Sequence, residues 1–408
     1  MTERCIAPAT SEQPPLVSDA QDARAPQTTR GENLRVLHIV SGDLWGGAEA
    51  QAYALLSSLS AMPGTPVLAA LMNEGDLAER LRAQGIDVVV FNERGQQPLR
   101  ILFGLATLMR KWQPDIVHTH RAKENILGSL AILLAGGGIP CVRTVHGASE
   151  HSPEGVLAGV RRRVIGFLDY LCARYLQQRT IAVSAELGAQ LAVRLPGELI
   201  VVIENGVDAV QLRSQAGVAD FRRLEPEATH VGIVGRLVGV KRVDLFLAMA
   251  ALLQRDVLDR NWRFHVFGDG PMRHELSSLC ERLGIAALTT FHGHRSDIAT
   301  CIASVDVIVM CSDHEGMPMT ALEAAALGVP VVAHAVGGLV QVVAEPLLVS
   351  THEADGYKDA VCKALSVEGR CAAERLAGQV TGRLSSAENA RRIKSVYEAI
   401  QVEPKETR

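Results

Sequence analysis

Apolar strand-like runs that alternate with helix-forming stretches predict an α/β protein built on two doubly wound, parallel sheets. Three observations support this. The alternation begins at Arg35-Val36-Leu37-His38-Ile39-Val40 and continues for most of the chain, which is the pattern of βαβ units. It lapses once, over the polar stretch Gln211 to Glu227, and restarts at Val231-Gly232-Ile233-Val234. The chain has 408 residues, 48% hydrophobic and 21% charged, enough to bury two cores. The expected division is a tail over 1–33, a first domain over 34–204, a second over 205–384, and a terminal helix over 385–401.

In the first half a polar glycine loop, Ser41 to Glu49, follows the opening strand and leads into a helix from Ala50. Strands over 67–72, 88–91 and 116–118 alternate with helices over 76–84, 101–111 and 125–134. Further strands fall near 142–146, 180–184 and 200–203, with Ser184 suited to cap the following helix. Gly46 and Gly47 stand at the first strand-to-helix turn, where glycine lets a ligand approach the backbone. Their spacing is not G-x-G-x-x-G, so a dinucleotide fingerprint is not supported, and an ordinary tight turn is the other reading. His120 lies just past one strand end, and His146 with Gly147 past the next. Each histidine reads either as a ligand-facing imidazole or as a turn residue with ordinary hydrogen bonds.

The stretch Gly159 to Gln178 carries Arg161-Arg162-Arg163, with Val160, Val164, Leu168, Leu171 and Tyr175 at helical spacing. One reading is a basic amphipathic helix resting on anionic lipid. The other, favoured because Asp169 and Tyr170 break the stripe, is a domain helix with an apolar inner face and solvated arginines.

The second half restarts with a strand and a glycine-relaxed loop that places Arg236 and Lys241 over one crevice. Cations at a strand end suit a diphosphate, with Arg a bidentate donor and Lys a point charge, although two solvated surface cations would look the same. Strand ends follow at Gly268 and at His294-Arg295. The most informative stretch runs from Ser312 through Asp313-His314-Glu315-Gly316-Met317-Pro318-Met319 to Glu323. It follows the apolar strand 305–310, opens a helix at Thr320 and ends at Gly328 and Pro330. Its loop lies at the carboxyl end of a strand, where open α/β sheets bind ligands. The unpaired amides of the helix start suit a phosphate. Two flanking carboxylates then make sense if they grip hydroxyl groups; otherwise Glu323 is a buried ion-pair partner.

Composition narrows the function classes. A net charge of −4 gives no global field for nucleic acid. Eight cysteines without a C-x-x-C pair, several in apolar runs, point to reduced thiols in a cytosolic protein. The longest uncharged run, Ile126 to Val142, is broken by glycines and falls short of the roughly 20 apolar residues of a membrane span. Residues 1–33 have no apolar core and read as a disordered tail.

The string from Glu315 to Glu323 closely resembles the Glu-x7-Glu signature of the family 4 retaining glycosyltransferases, which have the GT-B fold of two Rossmann-like domains facing a cleft. Gly-Gly-Ala-Glu at 46–49, the segment 114–120 and Gly-Arg-Leu-x-x-x-Lys at 235–241 are similar to other segments of that family, in the same order. The resemblance implies a transferase that moves a sugar from a UDP- or GDP-linked donor to an acceptor hydroxyl, with no cofactor and no metal. It implies Glu315 and His120 at the donor sugar, Glu323 on the ribose and Arg236 with Lys241 on the diphosphate. Gly46, Gly47, Gly316, Met317, Pro318 and Met319 would then line the donor, Gly268, His294 and Arg295 the base, and His146 with Gly147 the acceptor side. Acceptors of a glycan or lipid-linked glycan type imply envelope or exported-polysaccharide work at the cytoplasmic face, with weak peripheral membrane contact. Gln341 departs from the family's acidic residue and leaves a structural ion pair in doubt. Other readings are a sugar-nucleotide epimerase, a glycogen-type synthase or a non-catalytic nucleotide-sugar-binding protein.

Overall fold

The computed structural model describes residues 33–42, 45–93, 95–147 and 156–402. The expected tail at 1–33 lies outside these apart from its final residue. Seven strands form the first sheet: β1 Val36–Val40, β2 Val67–Leu71, β3 Asp87–Val90, β4 Ile116–Thr119, β5 Cys141–Val145, β6 Arg179–Ala182 and β7 Ile200–Val202. Six form the second: β8 Thr229–Val234, β9 Trp262–Phe267, β10 Thr289–Gly293, β11 Val307–Met310, β12 Val331–His334 and β13 Leu348–Val349. The orders are β3-β2-β1-β4-β5-β6-β7 and β10-β9-β8-β11-β12-β13, with the strand pairs within both sheets parallel. Each sheet reverses its winding beside its first strand, between β1 and β4 and between β8 and β11. Those switch points open a crevice at the carboxyl ends, and the two crevices face one another.

The central strands are apolar on both faces because helices cover both, so β1, β2 and β11 are buried at every position. Helix Ser386–Val402 follows the second sheet in the chain but packs on helix Gly47–Ser60 of the first. Its buried Ala390, Ile393, Tyr397 and Ile400 recur at helical spacing, and Gln51 donates to Asn389 across the contact at 3.2 Å.

Two expectations are corrected. The polar stretch 211–227 is not irregular: it holds helices Ala209–Gln215 and Asp220–Leu224. Asp208 caps the first through the Gln211 amide, and Phe221 in the second packs against His265 with the rings tilted and their centroids 4.1 Å apart. Helices this short have no apolar stripe to detect. The stretch 159–178 does form a helix, Val156–Tyr175, but its apolar side does not face inward. Asp169 takes the inner position, paired with Arg143 at 2.9 Å and accepting from Asn125 at 2.7 Å. Val160, Val164 and Leu168, one turn over, are consequently left exposed.

Candidate functional site

Glu315 sits between β11 and helix Met319–Ala326, and three neighbouring loops hold it in place. Lys241, on the turn after β8, donates to Glu315 Oε1 at 2.8 Å, and Ser312 Oγ donates to the same oxygen at 2.7 Å. The pair is well shielded, with side chains 16% and 8% exposed, so its attraction is weakly screened. The Asp313 amide donates to Val240 O at 2.9 Å and ties the two loops together. Gly337, at φ +54°, closes the turn beneath: a Cβ there would lie 1.8 Å from the Glu315 carbonyl. Arg236 occupies the same loop as Lys241 and is half-buried.

Met317, Pro318 and Met319 are buried, so their side chains belong to the core and only the helix-start backbone faces the crevice. Asn205, at the crossover between the sheets, donates to Met317 O at 2.8 Å. Glu323 lies in the second turn of that helix. Burial pushes its carboxyl up to about 7, with the charge of Arg80 opposing the shift. Arg80 comes from the first domain and went unnoticed in the sequence. Its guanidinium stacks 4.2 Å from the Trp45 ring and reaches Ser296 O at 3.5 Å.

The turns after β8, β9 and β10 pack tightly. Gly268 has φ +135°, its amide donates to Gly293 O at 2.8 Å, and a Cβ there would lie 1.9 Å from Gly235 O. Only glycine fits. Arg295 is a fork onto Asp297 at 2.8 and 2.7 Å, and His294 is exposed, 3.8 Å from Asp76 of the first domain. These side chains stand at the rim of the cleft rather than on its floor.

On the facing side Gly46 is extended and Gly47 starts helix Gly47–Ser60, where a Cβ would come within 4.0 Å of Met319 Cγ. His146 and Gly147 meet the Glu315 loop directly: a Cβ on Gly316 would lie 2.0 Å from His146 O. His120 is 2% exposed and bonds to His38 at 3.0 Å and His146 at 3.2 Å. His118 beside it bonds to Tyr397 and Thr144 at 2.5 and 2.7 Å. Burial, with Arg121 nearby, pulls His120 down to about 3, so this imidazole is neutral. His38, His118 and His120 are a grouping of metal-ligand type among the described residues, but their hydrogen bonds run to one another, Tyr397, Thr144 and His146. A further cross-domain tie was not legible: Glu186, after β6, accepts from the Gly337 amide at 2.7 Å. Sequence gave no signal for it, because helix Ala185–Ala192 offers many polar residues and no motif.

The cleft therefore sets an ion pair and a helix start against a nest of neutral imidazoles. Residues 45–211 match the family model described as Glycosyltransferase Family 4, and residues 228–366 the model described as Glycosyl transferases group 1. A D-inositol 3-phosphate glycosyltransferase of Actinosynnema mirum is 31% identical over 292 residues, 66% of this chain and 67% of that relative. The chain belongs to glycosyltransferase family 4. Another relative of this family 4 glycosyltransferase is the Escherichia coli UDP-Gal:alpha-D-GlcNAc-diphosphoundecaprenol alpha-1,3-galactosyltransferase, 27% identical over 299 residues, 70% of this chain and 76% of that one. Among solved structures, Anabaena HepE in complex with UDP-glucose superposes with a TM-score of 0.75 at 19% identity, covering 90% of this chain and 99% of that one. Sucrose-phosphate synthase from Thermosynechococcus elongatus gives 0.72 at 19%, with the same coverage. The two-domain GT-B architecture expected from the sequence is the one observed.

Proposed function

We propose that this family 4 glycosyltransferase is a retaining, metal-independent enzyme that moves a hexose-type sugar from a UDP- or GDP-linked donor to a hydroxyl of a glycan or lipid-linked glycan. The observation that carries the reading is the Lys241–Glu315 pair, facing neutral imidazoles across the cleft. A departing diphosphate gains negative charge while positive charge grows at the anomeric carbon. Lys241, Arg236 and the amides at the start of helix Met319–Ala326 would answer the first. Glu315, already bonded to Lys241 and Ser312, is suited to hold sugar hydroxyls rather than to attack carbon, which favours same-face transfer assisted by the leaving phosphate. The substrates named for the Escherichia coli relative, UDP-Gal and a diphosphoundecaprenol-linked sugar, support a nucleotide donor and a lipid-linked acceptor. The experiment is to screen nucleotide sugars by thermal shift and then follow release of nucleoside diphosphate from the best binder. Slow hydrolysis that rises when glycan acceptors are added is expected. An epimerised sugar without that release sinks the reading.

Work on a lipid-linked acceptor also fits a surface of the first domain. Helices Pro98–Trp112, Ala122–Leu134 and Val156–Tyr175 pack side by side, and Leu99, Phe103, Leu133, Val164 and Phe167 on them are each more than half exposed. They carry three, one and four Lys or Arg, eight in all, against two acidic residues, Glu124 and Asp169, in a chain of net charge −4. Apolar tips on helices with an excess of cations match an anionic bilayer, and this family 4 enzyme would dock there at the cytoplasmic face. No helix among the described residues is long and apolar enough to cross the membrane. Co-sedimentation with phosphatidylglycerol vesicles, weak on phosphatidylcholine and reduced by Phe103→Ser with Phe167→Ser, is the expected result. Equal binding to both vesicles, or a stable dimer covering this face, would count against it.

A further inference from the structure

The turn that carries Lys241 ends on a residue in an unusual conformation. Arg242 has φ +47° and ψ +46°, and is one of three non-glycine residues at positive φ among the described residues. A Cβ is penalised in this left-handed region, where glycine is the ordinary occupant. The Arg242 amide donates to Gly239 O at 3.0 Å, and its carbonyl accepts from the Leu245 amide at 3.1 Å. The residue thus closes the turn Gly239–Lys241 and starts helix Val243–Asp256.

Its side chain joins two loops. The guanidinium forks onto Asp244, Nε to Oδ1 at 3.0 Å and Nη2 to Oδ2 at 2.9 Å, while Nη1 reaches Asp313 Oδ1 at 3.4 Å. Asp313 follows Ser312, which donates to Glu315, and its own amide donates to Val240 O. The Glu315 loop is therefore tied to the Lys241 turn on both sides of Lys241, at Val240 and at Arg242. Stability does not account for this arrangement. The Arg242, Asp244 and Asp313 side chains are 30%, 41% and 39% exposed, and ion pairs so open to water contribute little. A penalised backbone held by weak pairs persists only where the surroundings over-determine it, and such positions cluster at functional sites. Here the result is geometric: the Lys241 ammonium is held 2.8 Å from Glu315 Oε1.

We propose that Arg242 is a positioning residue for sugar transfer: by tying the Lys241 turn to Asp313, it sets where the Lys241 ammonium meets the departing diphosphate. The role in transfer rests on the proposed transferase reading; the coupling of Arg242 to the Lys241–Glu315 pair does not.

Arg242→Gly and Arg242→Asn remove the guanidinium, and both replacements accept a positive φ, so neither should lower the melting temperature appreciably. Thermal unfolding of each, with and without Lys241→Ala, tests the coupling with no substrate present. Lys241→Ala should lower the melting temperature less in the Arg242 variants than in the parent, because the pair it breaks is already loosened. Equal losses in parent and variants mean that the pair forms without help from Arg242, and overturn the proposal even if sugar transfer is confirmed. A parent that turns over no nucleotide sugar fails the transferase reading and leaves this measurement standing. Steady-state turnover is the second arm. In both Arg242 variants kcat should fall about ten- to a hundredfold with KM less affected, and Lys241→Ala with Arg242→Gly should be no slower than Lys241→Ala alone. A residue that only supported the fold would add its loss to that of Lys241→Ala. Such additivity overturns the positioning role, as does parental kcat in either Arg242 variant.

Discussion

Lys241→Ala is expected to lower kcat by about a hundred- to a thousandfold, the effect of removing one charge-stabilising donor from a shielded site. KM should change less, because the charge that Lys241 answers grows mainly as the diphosphate departs. The variant also leaves Glu315, 8% exposed, without its cation, and Ser312 alone does not neutralise a shielded carboxylate. Breaking such a pair from one side typically costs ~3–5 kcal/mol, so its melting temperature should fall. The double variant Lys241→Ala with Glu315→Ala removes both charges and should regain much of that stability while staying inactive. Steady-state kinetics beside thermal unfolding of the single and double variants reads both effects. A single variant within tenfold of the parent would remove Lys241 from the chemistry.

Gly316→Ala tests the closeness of the two domains with one methyl group. Its Cβ would sit 2.0 Å from the His146 carbonyl, a backbone atom of the other domain, so the two sides of the cleft must move apart. A displacement of about 1 Å at reacting groups can cost on the order of a hundredfold in rate, and that is the expected fall in kcat. Gly316 is not among the positive-φ glycines, so alanine should fit its own loop and leave the melting temperature nearly unchanged. Nucleotide affinity should also survive, because the proposed diphosphate and ribose contacts lie on the second domain. Gly337→Ala makes the contrast. It clashes with Glu315 inside one domain at φ +54°, and should lose stability by ~1–3 kcal/mol as well as activity. If Gly316→Ala turns over at the parental rate, the close approach at His146 is not needed for catalysis.

Much of this architecture was legible because it is written locally. β1, β8 and β11 read as apolar runs, and the loop from Ser312 to Glu323 is set by Gly316, Pro318 and a run of helix formers. The structure adds what local pattern lacks. Lys241 and Glu315 were each singled out, but not that they bind one another across 74 positions. Arg80 over Trp45, Glu186 on the Gly337 amide and His38 beneath His120 join residues far apart in sequence and leave no periodicity to find. The helix at 156–175 was misread for a related reason. Its inner side is chosen by Asp169 meeting Arg143 and Asn125, a polar preference that outweighs the apolar stripe.

The helix at 386–402 carries a consequence for biosynthesis. Its Tyr397 is fully buried in the first domain and bonds to His118 on β4. The first domain is therefore a discontinuous folding unit, interrupted by the whole of the second. During vectorial synthesis, strands β1 to β7 emerge long before the segment that completes their core. Until residue 402 has left the ribosome, the face awaiting Ala390, Ile393 and Ile400 stays open to water, so the second domain can finish folding before the first.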